Sequence, residues 1–141
     1  MVLYYILYIS AGTNWFNEAE LKDILKASHR NNTRDGITGL LLYGDGNFIQ
    51  LLEGERVIVQ RSFERISADT RHESVTIIDS GELSERNFPK WSMGFKAIDS
   101  FSHTGLSSFI DPETKNILLH QKPHKATDLL KSFIRTARIG V

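Results

Sequence analysis

Apolar positions follow two rhythms along this chain, strand-like runs and helix-spaced stripes, and the two alternate from segment to segment. Leu3-Tyr4-Tyr5-Ile6-Leu7-Tyr8-Ile9 is β-branched and aromatic, which predicts a first strand. Tyr4, Ile6 and Tyr8 share one of its faces, and Leu3, Tyr5, Leu7 and Ile9 the other. After a loop at 10–14, Leu21, Ile24, Leu25 and Ser28 recur at helical spacing to about Arg30, and Asn17 with Glu20 makes a variant of the capping box. Asn31-Asn32-Thr33-Arg34-Asp35-Gly36 is expected to end that helix as cap and turn residues. A hairpin follows over 37–54, with Gly44-Asp45-Gly46-Asn47 as its tight connection. Leu40-Leu41-Leu42-Tyr43 and Phe48-Ile49 are apolar at consecutive positions, so both faces of this hairpin are expected to be covered.

A second amphipathic helix is predicted from about Arg56 to Asp69, with Val59, Phe63 and Ile66 on its apolar stripe. Arg65 and Asp69, four apart beside that stripe, read as a surface ion pair. Val75-Thr76-Ile77-Ile78-Asp79 is the fourth strand. Trp91, Met93, Phe95 and Ala97, alternating with Ser92, Gly94 and Lys96, form a half-buried fifth. The order β-α-β-β-α-β plus one strand predicts an α/β (α+β) ferredoxin-like sandwich: a five-stranded mixed sheet with two helices on one face. Beyond it, Leu106, Phe109 and Ile110 suggest a short helix that stops near Pro112. Pro123 opens a longer one striped by Leu129, Leu130, Phe133, Ile134 and Ala137. The expected division is a domain over 1–98 and a C-terminal helical extension over 99–141, which covers the second sheet face or mediates assembly.

Bulk properties narrow the partners. Lys+Arg and Asp+Glu balance at 17 each, which argues against a nucleic-acid backbone as the main partner. The absence of cysteine removes disulfides, thiolate metal sites and cysteine nucleophiles. The apolar start is too short to span a bilayer and follows no basic segment, so no membrane association and a cytoplasmic location are expected.

Gln50 is the conspicuous residue, one uncharged polar side chain set between Ile49 and Leu51 in a buried strand. Left without partners it would cost about 1–3 kcal/mol. Two helices over a sheet make a slot. Its expected walls carry Tyr8 and Gln50 on neighbouring strands, Asn31 and Asn32 at the end of the first helix, and Arg65 and Asp69 on the second. The composition permits, without requiring, that Ile24 and Ile66 clamp a flat ring from either side. Taken singly, each residue has a plainer reading: Gln50 and Tyr8 as satisfied core groups, the asparagines as caps, His72 as a loop residue, Trp91 and Met93 as packing.

Five motifs in register point elsewhere: Leu7-Tyr8-Ile9-Ser10; Asn31-Asn32 with Gly36-Ile37-Thr38-Gly39-Leu40-Leu41; Phe48-Ile49-Gln50-Leu51-Leu52-Glu53-Gly54; Asp69 with Arg71-His72; and Arg86, Phe88 and Trp91-Ser92-Met93. Through residues 3–98 the chain resembles the BLUF domains, blue-light receptors that use flavin. The resemblance implies a noncovalent flavin, FAD with FMN as the alternative, held between the two helices. It implies that Asn32, with Asn31 beside it, bonds the carbonyl and N3–H edge of the isoalloxazine. Arg65, Asp69 and His72 would lie near the pyrimidine edge, ribityl chain or phosphates. Tyr8 would be the electron and proton donor and Gln50 the hydrogen-bond relay, while Trp91 and Met93 would couple that network to the tail.

The residue types suit those roles. A phenol is a redox-active O–H donor that stays protonated at neutral pH, with a pKa of about 10. A side-chain amide presents a donor and an acceptor end and can bridge two partners. No output enzyme is recognisable after residue 98, so the expectation is a sensor without enzyme activity that signals through an unidentified downstream protein or a homo-oligomer. Two rivals share the fold. An acylphosphatase-like hydrolase would want an arginine in the loop at 10–17, which has none. A ligand-free interaction or oligomerisation module would be colourless.

Overall fold

The computed structural model describes residues 2–13, 18–44, 46–87, 94–97 and 128–129. The elements run β1 (Leu3–Gly12), α1 (Glu18–Asp35), β2 (Thr38–Gly44), β3 (Asn47–Glu55), α2 (Arg56–Ser67), β4 (His72–Leu83) and β5 (Gly94–Ala97). Their order in the sheet is β4-β1-β3-β2-β5. Neighbours are antiparallel except β2 and β5, so the five-stranded sheet is mixed, as the ferredoxin-like expectation required.

Strand periodicity sorts the core into two clusters. Ile6, Tyr8, Leu41, Phe48 and Leu52 face the helices and pack with Leu21 and Leu25 of α1 and Val59 of α2. Tyr5, Leu7, Leu40, Leu42, Ile49 and Leu51 form the opposite face, against which Leu83 and Leu129 pack. Both faces of the hairpin are thus buried. Apart from Asp128 and Leu129, the expected tail helices lie outside the described residues, as do Trp91, Met93 and the Asn17 cap.

Three local expectations are corrected. α1 does not stop near Arg30 but continues through both asparagines to Asp35. Asn32 is buried there, so packing overrides its preference for a turn. The stop is Gly36, at φ 68°, followed by a bond of 3.0 Å from the Ile37 N–H back to the Asn32 carbonyl, a Schellman-type end. α2 ends at Ser67, short of Asp69. β4 extends well beyond Val75–Asp79 in both directions because it pairs with β1 over nearly all its length. Two register shifts and Ser74 at φ 55° break its alternation, which hides its full span from a periodicity reading. As an edge strand it leaves Ile77 and Ile78 exposed.

The segment after β4 is strapped onto the end of β3. Glu53, fully buried, accepts hydrogen bonds from the Asn87 N–H (2.9 Å) and Nδ2 (2.8 Å). Arg86 Nη1 donates to Thr38 Oγ1 (2.9 Å) and the Glu53 carbonyl (3.1 Å), and Nη2 donates to the Gly36 carbonyl (2.9 Å). One guanidinium therefore ties the end of α1, the start of β2 and the end of β3.

Gly39 sets how closely β2 and β3 lie. A Cβ at this position would sit 1.8 Å from the Leu51 carbonyl oxygen, backbone that cannot yield without breaking the ladder. Gly39→Ala is expected to destabilise the fold by about 1–3 kcal/mol or more, the cost of overpacking a filled core. Urea unfolding followed by circular dichroism measures it, and an unchanged midpoint would show that the strand pair can spread.

Candidate functional site

Between α1 and α2, above the sheet, lies a cleft of about 840 Å³ counted out to its open mouth. Tyr8, Ile24, Asn31, Asn32, Gln50, Arg65, Ile66, Asp69 and His72 all line it. The nine described candidates from the sequence therefore come together in one place, and Trp91 and Met93 fall outside the described residues.

The floor is set by strand register. Tyr8 and Gln50 are direct partners across β1 and β3, so both side chains rise on the helix-facing side. The Tyr8 hydroxyl donates to Gln50 Oε1, and both residues are buried. Phe63 meets the Tyr8 ring edge-on at 5.5 Å between centroids, and the His72 ring does so at 6.3 Å. Burial pushes the Tyr8 phenol well above its ordinary pKa, and the negative charge of Asp69 adds to the shift. Tyr8 is a neutral O–H donor across the physiological range.

The walls are apolar at Ile24 and Ile66, on opposite helices, with Asn31 and Asn32 in the last turns of α1. The mouth is charged. Its ion pairs differ from the expected Arg65–Asp69 pair, because α2 ends before Asp69 and the helical four-residue spacing never forms. Arg65 Nη2 instead lies 3.6 Å from Asp35 Oδ2 and 3.5 Å from Ser62 Oγ. Asp69 holds Arg71, accepting the Arg71 N–H at 2.9 Å in an Asx-type turn and the guanidinium through Nε (3.0 Å) and Nη2. That guanidinium keeps the Asp69 carboxyl below the usual carboxylate range.

Three contributors were not singled out from sequence. Arg71 lines the mouth and belongs to the motif with Asp69 and His72, which implies no role for it. Buried Ser62 lines the cleft from α2, where it stands beside the predicted stripe of Val59, Phe63 and Ile66. Buried Ser10 bonds His72 from β1, and only its place two residues after Tyr8 could have suggested that it faces the same side.

These groups suit a flat heterocycle. Two aliphatic side chains line the slot from different helices, and two amides offer the paired donor and acceptor ends that a pyrimidine-dione edge requires. Two arginines at the open end suit a polar or anionic tail.

Comparison with known proteins agrees with this geometry. The BLUF family model, described as sensors of blue light using FAD, matches residues 3–94. The photoactivated adenylate cyclase subunit beta of Euglena gracilis is 36% identical over 89 residues, which cover 62% of this chain and 10% of that protein. The chain thus spans about a tenth of the length of the curated relatives it matches. Among solved structures, the dark state of BlrB, a BLUF protein, superposes with a TM-score of 0.69 at 28% identity, covering 99% of this chain and 98% of that one. Klebsiella pneumoniae BlrP1 with FMN and cyclic diGMP superposes with a TM-score of 0.76 at 25% identity, covering 94% of this chain and 34% of that one.

The buried phenols carry a pH dependence. Tyr5 is also pushed up, by burial and then by its 2.6 Å hydrogen bond to Asp79. The folded state retains both protons above pH about 10, where the unfolded chain releases them, so stability falls as pH rises beyond that point. Titration at 295 nm with folding followed in parallel should show Tyr5 and Tyr8 ionising only on unfolding, and Tyr8→Phe should lessen the alkaline loss. Phenolate formation by Tyr8 in the folded protein near pH 10 would contradict the buried-donor assignment.

Proposed function

Because this chain belongs to the BLUF family, the sensors of blue light using FAD, we propose that it is a blue-light photoreceptor in which Tyr8 and Gln50 convert excitation of a noncovalent flavin into a changed hydrogen-bond pattern. The observation that carries this reading is the buried bond from the Tyr8 hydroxyl to Gln50 Oε1, on the floor of a cleft also lined by Asn31 and Asn32.

FAD is the proposed ligand and FMN, present in the BlrP1 structure, the alternative. Ile24 and Ile66 would hold the ring between them and Asn31 and Asn32 its polar edge. Arg65, Asp69 and His72 would line the side of the cleft taken by the ribityl chain and phosphates. When bound, the isoalloxazine supplies light absorption and an oxidising excited state. Tyr8, a neutral phenol, can give up an electron while its proton passes to an acceptor already in place, Gln50 Oε1. An amide that takes a proton on oxygen and releases one from nitrogen, or that turns about its terminal bond, exchanges donor and acceptor ends. The stored signal is then a rearranged amide with no covalent bond to protein, which accords with a chain that has no cysteine.

We place the sensor in residues 1–98, with Trp91 and Met93 relaying from it and 99–141 as an extension over the second face. The contact of Leu129 with that face supports this layout. The chain itself is proposed to have no enzyme activity; the cyclase named in the Euglena relatives belongs to chains of which the matched stretch is a tenth. Its output would pass to an unidentified signalling protein or through a homo-oligomer. Among the described residues no helix is long and apolar enough to cross a membrane, and a cytoplasmic location is part of the proposal.

The purified protein is expected to be yellow and to show a small reversible red shift under blue light in a light-minus-dark absorption spectrum. Tyr8→Phe removes only the hydroxyl, so flavin should be retained and the red-shifted state lost. Asn32→Ala should weaken flavin binding by leaving ring polar atoms unpaired. A colourless protein that cannot be reconstituted would favour the ligand-free module, and normal cycling of Tyr8→Phe would return Tyr8 to a core role.

Output is tested separately. Hydrogen exchange of residues 91–141, with sizing in darkness and under blue light, should differ between the two states, since only unequal stability of two packings can carry a signal. A spectral shift with both unchanged would move the output to another surface.

A further inference from the structure

The pairing of β1 with β4 is irregular on both sides of Tyr8. The register passes from Leu7↔Asp79 to Tyr8↔Ile77, then from Ile9↔Thr76 to Ala11↔Glu73, leaving Ser10 without a register partner on β4. Ser74, at φ 55°, lies on β4 opposite the second break. The strand that carries Tyr8 is therefore held by an interrupted ladder exactly where its side chain enters the cleft.

One side chain bridges the break. His72 Nδ1 lies 2.8 Å from Ser10 Oγ, and Nε2 lies 2.7 Å from the Ile66 carbonyl oxygen. A carbonyl can only accept, so Nε2 carries the proton, and in the neutral ring Nδ1 accepts from the Ser10 hydroxyl. Ser10 is buried, and this bond satisfies it. Ile66 belongs to α2, and its side chain forms one wall of the cleft. The same imidazole packs edge-on against the Tyr8 ring. Both ring nitrogens of His72 are engaged within the protein, which leaves neither directed at a ligand.

We propose that His72 is a positioning residue: it fixes the Tyr8 strand, through Ser10, and the α2 wall, through Ile66, at one separation, and so sets the approach of the Tyr8 hydroxyl to a bound ring. This rests on the reading of Tyr8 as the photochemical donor. Its distinguishing consequence is that loss of the Ser10–His72 bond lowers the photochemical yield of flavin-loaded molecules, even when it is broken at Ser10, which does not line the cleft.

The test compares His72→Phe, His72→Gln and Ser10→Ala with wild type and with Tyr8→Phe, all in the full chain loaded with FAD. Flavin content, flavin fluorescence lifetime and yield of the red-shifted state are read together. Phe keeps an aromatic ring and removes both bonds, so among the molecules that hold flavin the lifetime should lengthen and the yield fall several-fold. Ser10→Ala should act in the same direction, and the double variant should be no worse than His72→Phe, as expected for two ends of one bond. Gln supplies a donor and an acceptor and should restore much of the yield. If Tyr8→Phe abolishes the red shift while His72→Phe and Ser10→Ala keep wild-type lifetime and yield, the positioning role is overturned. It is equally overturned if flavin affinity falls while the loaded molecules behave as wild type. Cycling of Tyr8→Phe itself would overturn the donor reading on which the inference rests. Should His72→Phe fail to fold, Ser10→Ala and His72→Gln decide the matter by the same readouts.

Discussion

The hydroxyl–amide bond between Tyr8 and Gln50 is the interaction on which the site depends. Each is a polar group inside an apolar layer, and the bond offsets a desolvation cost of about 1–3 kcal/mol that either would bear alone. The bond exists only in one register. A slip of a single residue between β1 and β3 would send one side chain to the far face and leave both groups buried among leucines. The hairpin that fixes Gln50 is held in turn by the close backbone approach at Gly39, so a glycine with no chemistry of its own underlies the chemistry of the cleft.

β3 serves both faces of the sheet. Gln50 points toward the helices, whereas Glu53 accepts two hydrogen bonds from Asn87, in the segment that leads toward β5. A fully buried carboxylate is costly unless it is hydrogen-bonded, which makes this strap a strongly specified contact. Arg86 closes it by spanning three elements. Gln50 and the strap thus share one short stretch of backbone.

The charged mouth is built differently from the floor. Arg71 and Asp69 are close in sequence and exposed enough to be screened, so they shape the loop more than they stabilise the fold. Arg65 reaches across to Asp35 on the other helix and thereby draws the two walls toward each other at the surface. His72 does the corresponding work inside, between α2 and β1.

Apolar spacing with turn residues determined the five strands, the two helices and the two-faced core, and the order of those elements the sandwich, because spacing is a local property that packing then follows. The motifs in register also identified the nine lining residues, since family membership is encoded in residue type and spacing. Where α1 ends was less legible: Gly36 is a recognisable stop, but two asparagines before it imitate one, and only the burial of Asn32 resolves the conflict. The span of β4 and its bulges were not legible, because they are set by pairing with β1 and not by any pattern within β4. The partners of the polar groups lay furthest from view. Arg65 with Asp35, His72 with Ser10 and the Ile66 carbonyl, and Glu53 with Asn87 each join different elements. A sequence shows which side chains can bond. The tertiary structure decided which ones do, because a hydrogen bond is chosen over a few ångströms and those distances exist only once the elements have packed.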